Sequence, residues 1–190
     1  ILSTDTDGDD AGAVLILNAN NQSVYQVIAA STTKDDVYTE FGKAIAVDGN
    51  RALITVMDGS IPKVQEWEYS QSSWVKKAIM INAAGDLLDL DRDTAIIAAD
   101  GGVATIRRES NWNAPVATLS SNTIAVTLDG NIATTVDTSG VMRIYKEDQT
   151  GAWNLVQKLD TGASRQTVTE REVSAPSPLA HCKLSEFFIR

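Results

Sequence analysis

An all-β chain of repeated four-stranded units is the fold class this sequence predicts, and three observations predict it. The β-branched residues Val, Ile and Thr fill 49 of 190 positions, against four prolines. Branching at Cβ stiffens χ1 and favours the pleated strand over the helix. A turn motif recurs as Val47-Asp48-Gly49-Asn50, Leu90-Asp91-Arg92-Asp93 and Leu128-Asp129-Gly130-Asn131, at steps of 43 and 38 residues. About 25 residues beyond each turn stands a tryptophan, Trp74, Trp112 and Trp153, stepping by 38 and 41. Two independent markers share one period.

Each period reads as four strands in order. The first, Phe41 to Val47 in the clearest copy, alternates small and apolar residues and runs into an Asp-Gly turn, a strong hairpin signal. The second follows at once in residues 51–56, 94–99 and 132–136, apolar or small on both faces, as a strand sandwiched between two sheets requires. After a further turn the third strand opens at Lys63, Gly102 and Gly140, giving the runs Val64 to Trp67, Val103 to Ile106 and Val141 to Tyr145. The fourth carries the tryptophan, and in Trp74 to Ile79 its lysines mark an outer edge, where charge opposes unwanted pairing. In this alignment Leu53, Ile96 and Ala133 share one position, and Trp67 shares another with Ile106, Ile144 and Ile16. Four short antiparallel strands every 38 to 43 residues is the signature of β-propeller blades. A further, incomplete copy opens the chain, with Ile1 to Thr4 as second strand, Gly12 to Leu17 as third and Ser23 to Ala29 as fourth.

The tract Phe41-Gly42-Lys43-Ala44-Ile45-Ala46-Val47-Asp48-Gly49-Asn50-Arg51-Ala52-Leu53-Ile54 resembles the FG-GAP repeats of integrin α-subunit propellers and of many surface proteins. The tract Trp153 to Leu159 looks like the outer strand of the same repeats. The copies are degenerate: Ala84-Gly85 and Asn122-Thr123 replace the Phe-Gly pair, and no Gly-Ala-Pro follows any second strand. The resemblance spans residues 1–160, as a partial blade 1–29 and blades at about 41–81, 84–120 and 122–160. It implies an extracellular or cell-surface adhesion or ligand-binding module, usually of seven blades. Three blades and a part imply in turn a fragment of a larger propeller, completed by remaining blades or by self-association. Residues 161–190 form a linker or poorly ordered end.

Chemistry is sparser than architecture. In Asp5-Thr6-Asp7-Gly8-Asp9-Asp10 alternate carboxylates suit a hard cation, so Asp5, Asp7, Asp9 and Asp10 are the candidate calcium ligands, and calcium the one candidate cofactor. A solvated acidic hairpin is the competing reading, because Asp10 and Ile16 stand where an EF-hand needs glycine and glutamate. A second acidic run holds Asp86, Asp89, Asp91 and Asp93. One reading has Asp86 facing a cation or sugar at a channel mouth; the competing reading, which the turn chemistry of aspartate favours, is that Asp91 and Asp93 serve their own turn and Asp89 faces solvent. The recurrent tryptophans read as packing against the neighbouring blade rather than as sugar platforms. Cys182 is the only cysteine and His181 the only histidine, adjacent in the tail, which is no positioned nucleophile and base.

A net charge of -9 opposes nucleic-acid binding and adhesion to acidic membranes, and no apolar run reaches the roughly 20 residues that span a bilayer. The function expected is a non-catalytic binding or adhesion module whose loops take a protein or carbohydrate ligand. The alternative is part of a carbohydrate-active propeller enzyme, a glycosidase or lyase, using acidic loop residues.

Overall fold

A computed structural model describes residues 2–4, 12–18, 20–29, 38–58, 61–80 and 85–160. Every regular element among them is a strand, and every strand pair is antiparallel. Blade 1 is β1 (Leu2–Thr4), β2 (Ala13–Leu17) and β3 (Val24–Ala29). Blade 2 is β4 (Tyr38–Thr39), β5 (Ile45–Asp48), β6 (Arg51–Asp58), β7 (Ile61–Ser70) and β8 (Ser73–Met80). Blade 3 is β9 (Leu87–Asp91), β10 (Thr94–Ala98), β11 (Thr105–Arg108) and β12 (Asn111–Thr118). Blade 4 is β13 (Thr123–Asp129), β14 (Ile132–Asp137), β15 (Val141–Glu147) and β16 (Trp153–Asp160). In blades 3 and 4 the spatial order is the sequence order, a four-stranded meander, and the partial copy at the start is a three-stranded one.

The first hairpin of blades 2, 3 and 4 turns through a left-handed residue: Gly49 at φ 56°, Arg92 at 53° and Gly130 at 57°. Glycine adopts this conformation without a Cβ clash, and Arg92 does so at a cost. The expected first strand of blade 2 is interrupted. Only Ile45–Asp48 of that stretch is strand, and residues 40–44 form a corner between β4 and β5, both of which pair with β6. There Gly42 takes φ 83° and donates to the Thr55 carbonyl, while Thr55 Oγ1 accepts from Ala44 N at 2.8 Å. The corner turns Phe41 inward, 1% exposed, with its ring edge-on to Trp67. Gly12 lies against it so closely that a Cβ would sit 2.2 Å from the Phe41 carbonyl oxygen.

Ladder register corrects the sequence alignment by one residue. Val47 pairs with Ala52, Leu90 with Ala95 and Leu128 with Ala133, so Ala133 matches Ala52 and Ala95, and the equivalent of Leu53 and Ile96 is Thr134. Trp67, Arg107 and Tyr145 then share one position, and Glu66, Ile106 and Ile144 another. The slip arises because Thr134 and Arg107 are polar where the other copies are apolar, which an alignment by apolar pattern avoids. In blades 2, 3 and 4 a bulge also follows Glu66, Ile106 and Ile144 in the third-to-fourth pairing.

Three apolar clusters lie between successive blades. Val14 and Ile28 of blade 1 meet Phe41, Ala52, Ile54 and Val56 of blade 2. Ala46, Leu53 and Val64 of blade 2 meet Leu90, Ala95, Ile97 and Trp112 of blade 3. Ile96, Ala98, Ala104 and Ile106 of blade 3 meet Leu128, Ala133 and Tyr145 of blade 4. Each blade therefore has a leading face toward its predecessor and a trailing face toward its successor. β10 is buried along its whole length, which accounts for its apolar run. The tryptophans pack as expected: Trp74, Trp112 and Trp153 each join the cluster shared with the preceding blade.

Trp112 also donates its indole N–H to Glu66 Oε2 of blade 2 at 2.9 Å. The equivalent acceptor position in blade 3 is Ile106, and the Trp153 N–H is buried without a partner among the described residues. Trp112→Phe, which strands a buried carboxylate, is expected to cost about 1–3 kcal/mol more than Trp153→Phe in urea unfolding. Equal costs would contradict this account of the interface.

Candidate functional site

The polar residues of the repeat converge where the first hairpins of adjacent blades turn side by side. Asp48 Oδ2 accepts the Arg92 N–H of the next blade, and Asp91 Oδ2 accepts the Gly130 N–H of the blade after, both at 2.7 Å. The same carboxylate in two blades thus caps the same turn of its neighbour. Asp91 was expected to serve its own turn, and instead it joins two blades. Asp89, expected to face solvent, accepts from Leu128 N at 2.7 Å and Thr127 Oγ1 at 3.0 Å, both on β13. Its sequence neighbours hid this, because the partners lie 38 and 39 residues away.

Ion pairs repeat the pattern on the same side. Arg51 of blade 2 reaches Glu109 of blade 3 at 2.6 Å, and Arg108 of blade 3 reaches Glu147 of blade 4. Glu109 and Glu147 occupy one repeat position, 38 residues apart, which the corrected third-strand register makes visible. Arg108 also bonds Thr94 and Asp93, the latter at 3.2 Å, so Asp93, expected to serve its turn, holds the third strand of its blade as well as accepting from Thr94 Oγ1 beside the turn.

Around these groups opens a cavity of about 360 Å³ lined by Asp91, Asp93, Arg92, Arg108, Asn131 and Glu147, with Thr94 and Gly130. Its charges are of both signs and are largely matched. Asp91 meets Arg92 at 3.5 Å besides the Gly130 N–H, and the Arg92 side chain is 77% exposed. Such a site offers paired donors and acceptors to an incoming polar chain, with the exposed Arg92 guanidinium able to bind a carboxylate.

At the opposite end Asp86 does not stand free for a cation or sugar. It pairs with Lys43 of blade 2 at 2.8 Å and accepts the Asp100 N–H at 3.1 Å. Partial burial works against its charge, but the Lys43 ammonium and the Asp100 N–H outweigh burial and hold its carboxyl below the usual range. The candidate calcium ligands Asp5, Asp7, Asp9 and Asp10 lie outside the described residues, as does the tail with His181 and Cys182. Among the described residues no three His, Cys, Asp or Glu side chains converge as metal ligands would.

No protein-family model matches this sequence, and no curated protein matches it. Solved structures do. A chain in the "Crystal Structure of Mitotic Checkpoint Complex" aligns with TM-score 0.58 and 13% identity, over 83% of this chain and 47% of that one. The computationally designed Ika8 protein aligns with TM-score 0.55 and 11% identity, over 85% and 49%. BamB from Moraxella catarrhalis aligns with TM-score 0.51 and 14% identity, over 83% and 50%. The fold is a β-propeller. The chain spans about half the length of each of these structures. Identity this low carries the propeller architecture across and nothing of what those proteins bind.

Two expectations follow from the site. Asp48→Ala and Asp91→Ala each remove a charged acceptor between propeller blades and should cost about 1–2 kcal/mol in chemical denaturation, against about 0.5 or less for Asp129→Ala, whose carboxylate is exposed. Equal effects at all three would remove the inter-blade role. In the last hairpin Asp148 accepts from the Thr150 hydroxyl and from Thr150 N and Ala152 N, which lowers its pKa from 3.8 to about 2. A depressed carboxyl stabilises the fold above its unfolded pKa and loses that contribution as pH falls through the folded value. Carboxyl NMR titration should place Asp148 near 2, and a midpoint at or above 3.8 would contradict the turn.

Proposed function

We propose that this chain is a non-catalytic binding module whose propeller presents the mixed-charge cavity between blades 3 and 4 to a polar segment of a protein partner. The observation that carries this reading is the cavity's composition. Its acids are held by arginine and backbone N–H partners, and these groups sit on short turns fixed by paired strands. A carbohydrate-active enzyme needs a carboxyl free to give and take a proton. Carboxylates already bonded to arginine suit recognition better than acid-base work. The Phe41-Gly42 corner supports kinship with FG-GAP propellers, and with it a place at the cell surface.

Panning a randomised peptide library on the full chain, in parallel with a glycan array, tests the reading. Arg92→Glu is the diagnostic variant, because the exposed Arg92 side chain lines the cavity while its backbone N–H makes the inter-blade bond. Peptides carrying charges of both signs should be selected and should lose about tenfold or more in affinity for the variant, a change of about 1.4 kcal/mol. Capture of glycans alone, or equal peptide affinity for both proteins, would overturn the proposal.

A further inference from the structure

Residue for residue, the trailing face of blade 4 repeats the faces that blades 2 and 3 bury, yet it carries no neighbour among the described residues. In blade 2 the face holds Leu53, Thr55, Val64 and Glu66, and in blade 3 Ile96, Ala98, Ala104 and Ile106, all buried. Ladder register places Thr134, Val136, Met142 and Ile144 at the same four positions of blade 4, where each is only half-buried. Burial along β14 alternates, with Ala133, Thr135 and Asp137 buried and Ile132, Thr134 and Val136 half-open. In a repeat fold the uncovered face of a unit is the surface that its next neighbour fits.

The polar couplers repeat as well. Asp129 is the equivalent of Asp48 and Asp91, which cap the next turn, but it is exposed and its carboxylate accepts no hydrogen bond among the described residues. Lys146 is the equivalent of Arg108, which reaches a glutamate of the next blade, and it too is exposed and unpaired among the described residues. Register sets Asp129, Ile132 and Lys146 in one row across the sheet, so both couplers flank the apolar centre. An anion aimed at an N–H and a cation aimed at a carboxylate, around a β-branched core, is the pattern that closes the blade 3 to blade 4 junction.

We propose that the trailing face of blade 4 docks a further four-stranded blade of this repeat, one that brings a turn N–H to Asp129 and a carboxylate to Lys146. The occupant is specified by the existing interfaces: a left-handed first turn supplies the N–H, and a glutamate at the Glu109 and Glu147 position supplies the carboxylate. The inference stands apart from the cavity between blades 3 and 4 and does not rest on its ligand.

The test inserts a second copy of residues 122–160 directly after Asp160 of the full chain, and in a parallel protein a copy of residues 85–121. Both added blades carry the turn N–H and the glutamate. Oxidation of Met142 reads the face, and limited proteolysis reads the added blade. With either insertion Met142 should oxidise about tenfold more slowly than in the parent, as a residue moved from a half-open face into an interface does. Asp129→Ala and Lys146→Glu should lower the thermal midpoint of the extended protein and leave that of the parent unchanged. Two inserted blades that both stay protease-sensitive, or an unchanged Met142 rate, would overturn the proposal. So would protection of Met142 in the unextended chain as its concentration rises, which would assign the face to a second copy of the chain.

Discussion

The structure depends on one constraint: a blade with apolar residues on both faces must be covered on both. A single four-stranded sheet of this size cannot shield the two sides of its central strand, and burying a Val, Leu or Ile side chain contributes about 1.5–3 kcal/mol only when a neighbour supplies the other wall. β6 and β10 satisfy the constraint, and the clusters that cover them are the core of the molecule. Among the described residues the core consists of these layers. Each interface is made between two blades, so stability accumulates along the array rather than in one place.

Apolar stacking alone does not fix how one blade meets the next, since apolar contact is without direction. The direction comes from the hairpin end. Carboxylates of β5 and β9 accept the turn N–H of the following blade, and arginines of β6 and β11 reach its glutamates. These bonds draw adjacent turns together and bring Arg92, Asp93, Arg108 and Glu147 around one cavity. The candidate site is thus a consequence of the joint between blades 3 and 4, which is why its charges are largely paired before any partner arrives.

Sequence periodicity reveals the strands because each strand's character is local: β-branched runs, Asp-Gly turns and a tryptophan at constant spacing. It misplaces what depends on pairing. Counted from the first-hairpin aspartate, polar Thr134 stands where Leu53 and Ile96 do, so an alignment by apolar character takes Ala133 instead until the ladders are known. The Phe41 corner reads as strand because its alternation is right, although Gly42 turns the backbone and drives the ring inward. Asp89 and Asp91 read as turn and surface residues, because aspartate ordinarily bonds its own backbone and their true partners lie about 40 residues on. The inter-blade glutamates carry a period of their own, hidden until the third strands are aligned by their pairing with the second.

Native-state hydrogen exchange, resolved by strand, tests the central claim most directly. If blades are stabilised by cover on both faces, amides of β6 and β10 exchange only through global unfolding, while those of β14, open on alternate residues, exchange through a smaller opening. Protection of β14 equal to that of β10 would contradict the account, since it would place the stability of a blade within its own sheet rather than in its contact with the next.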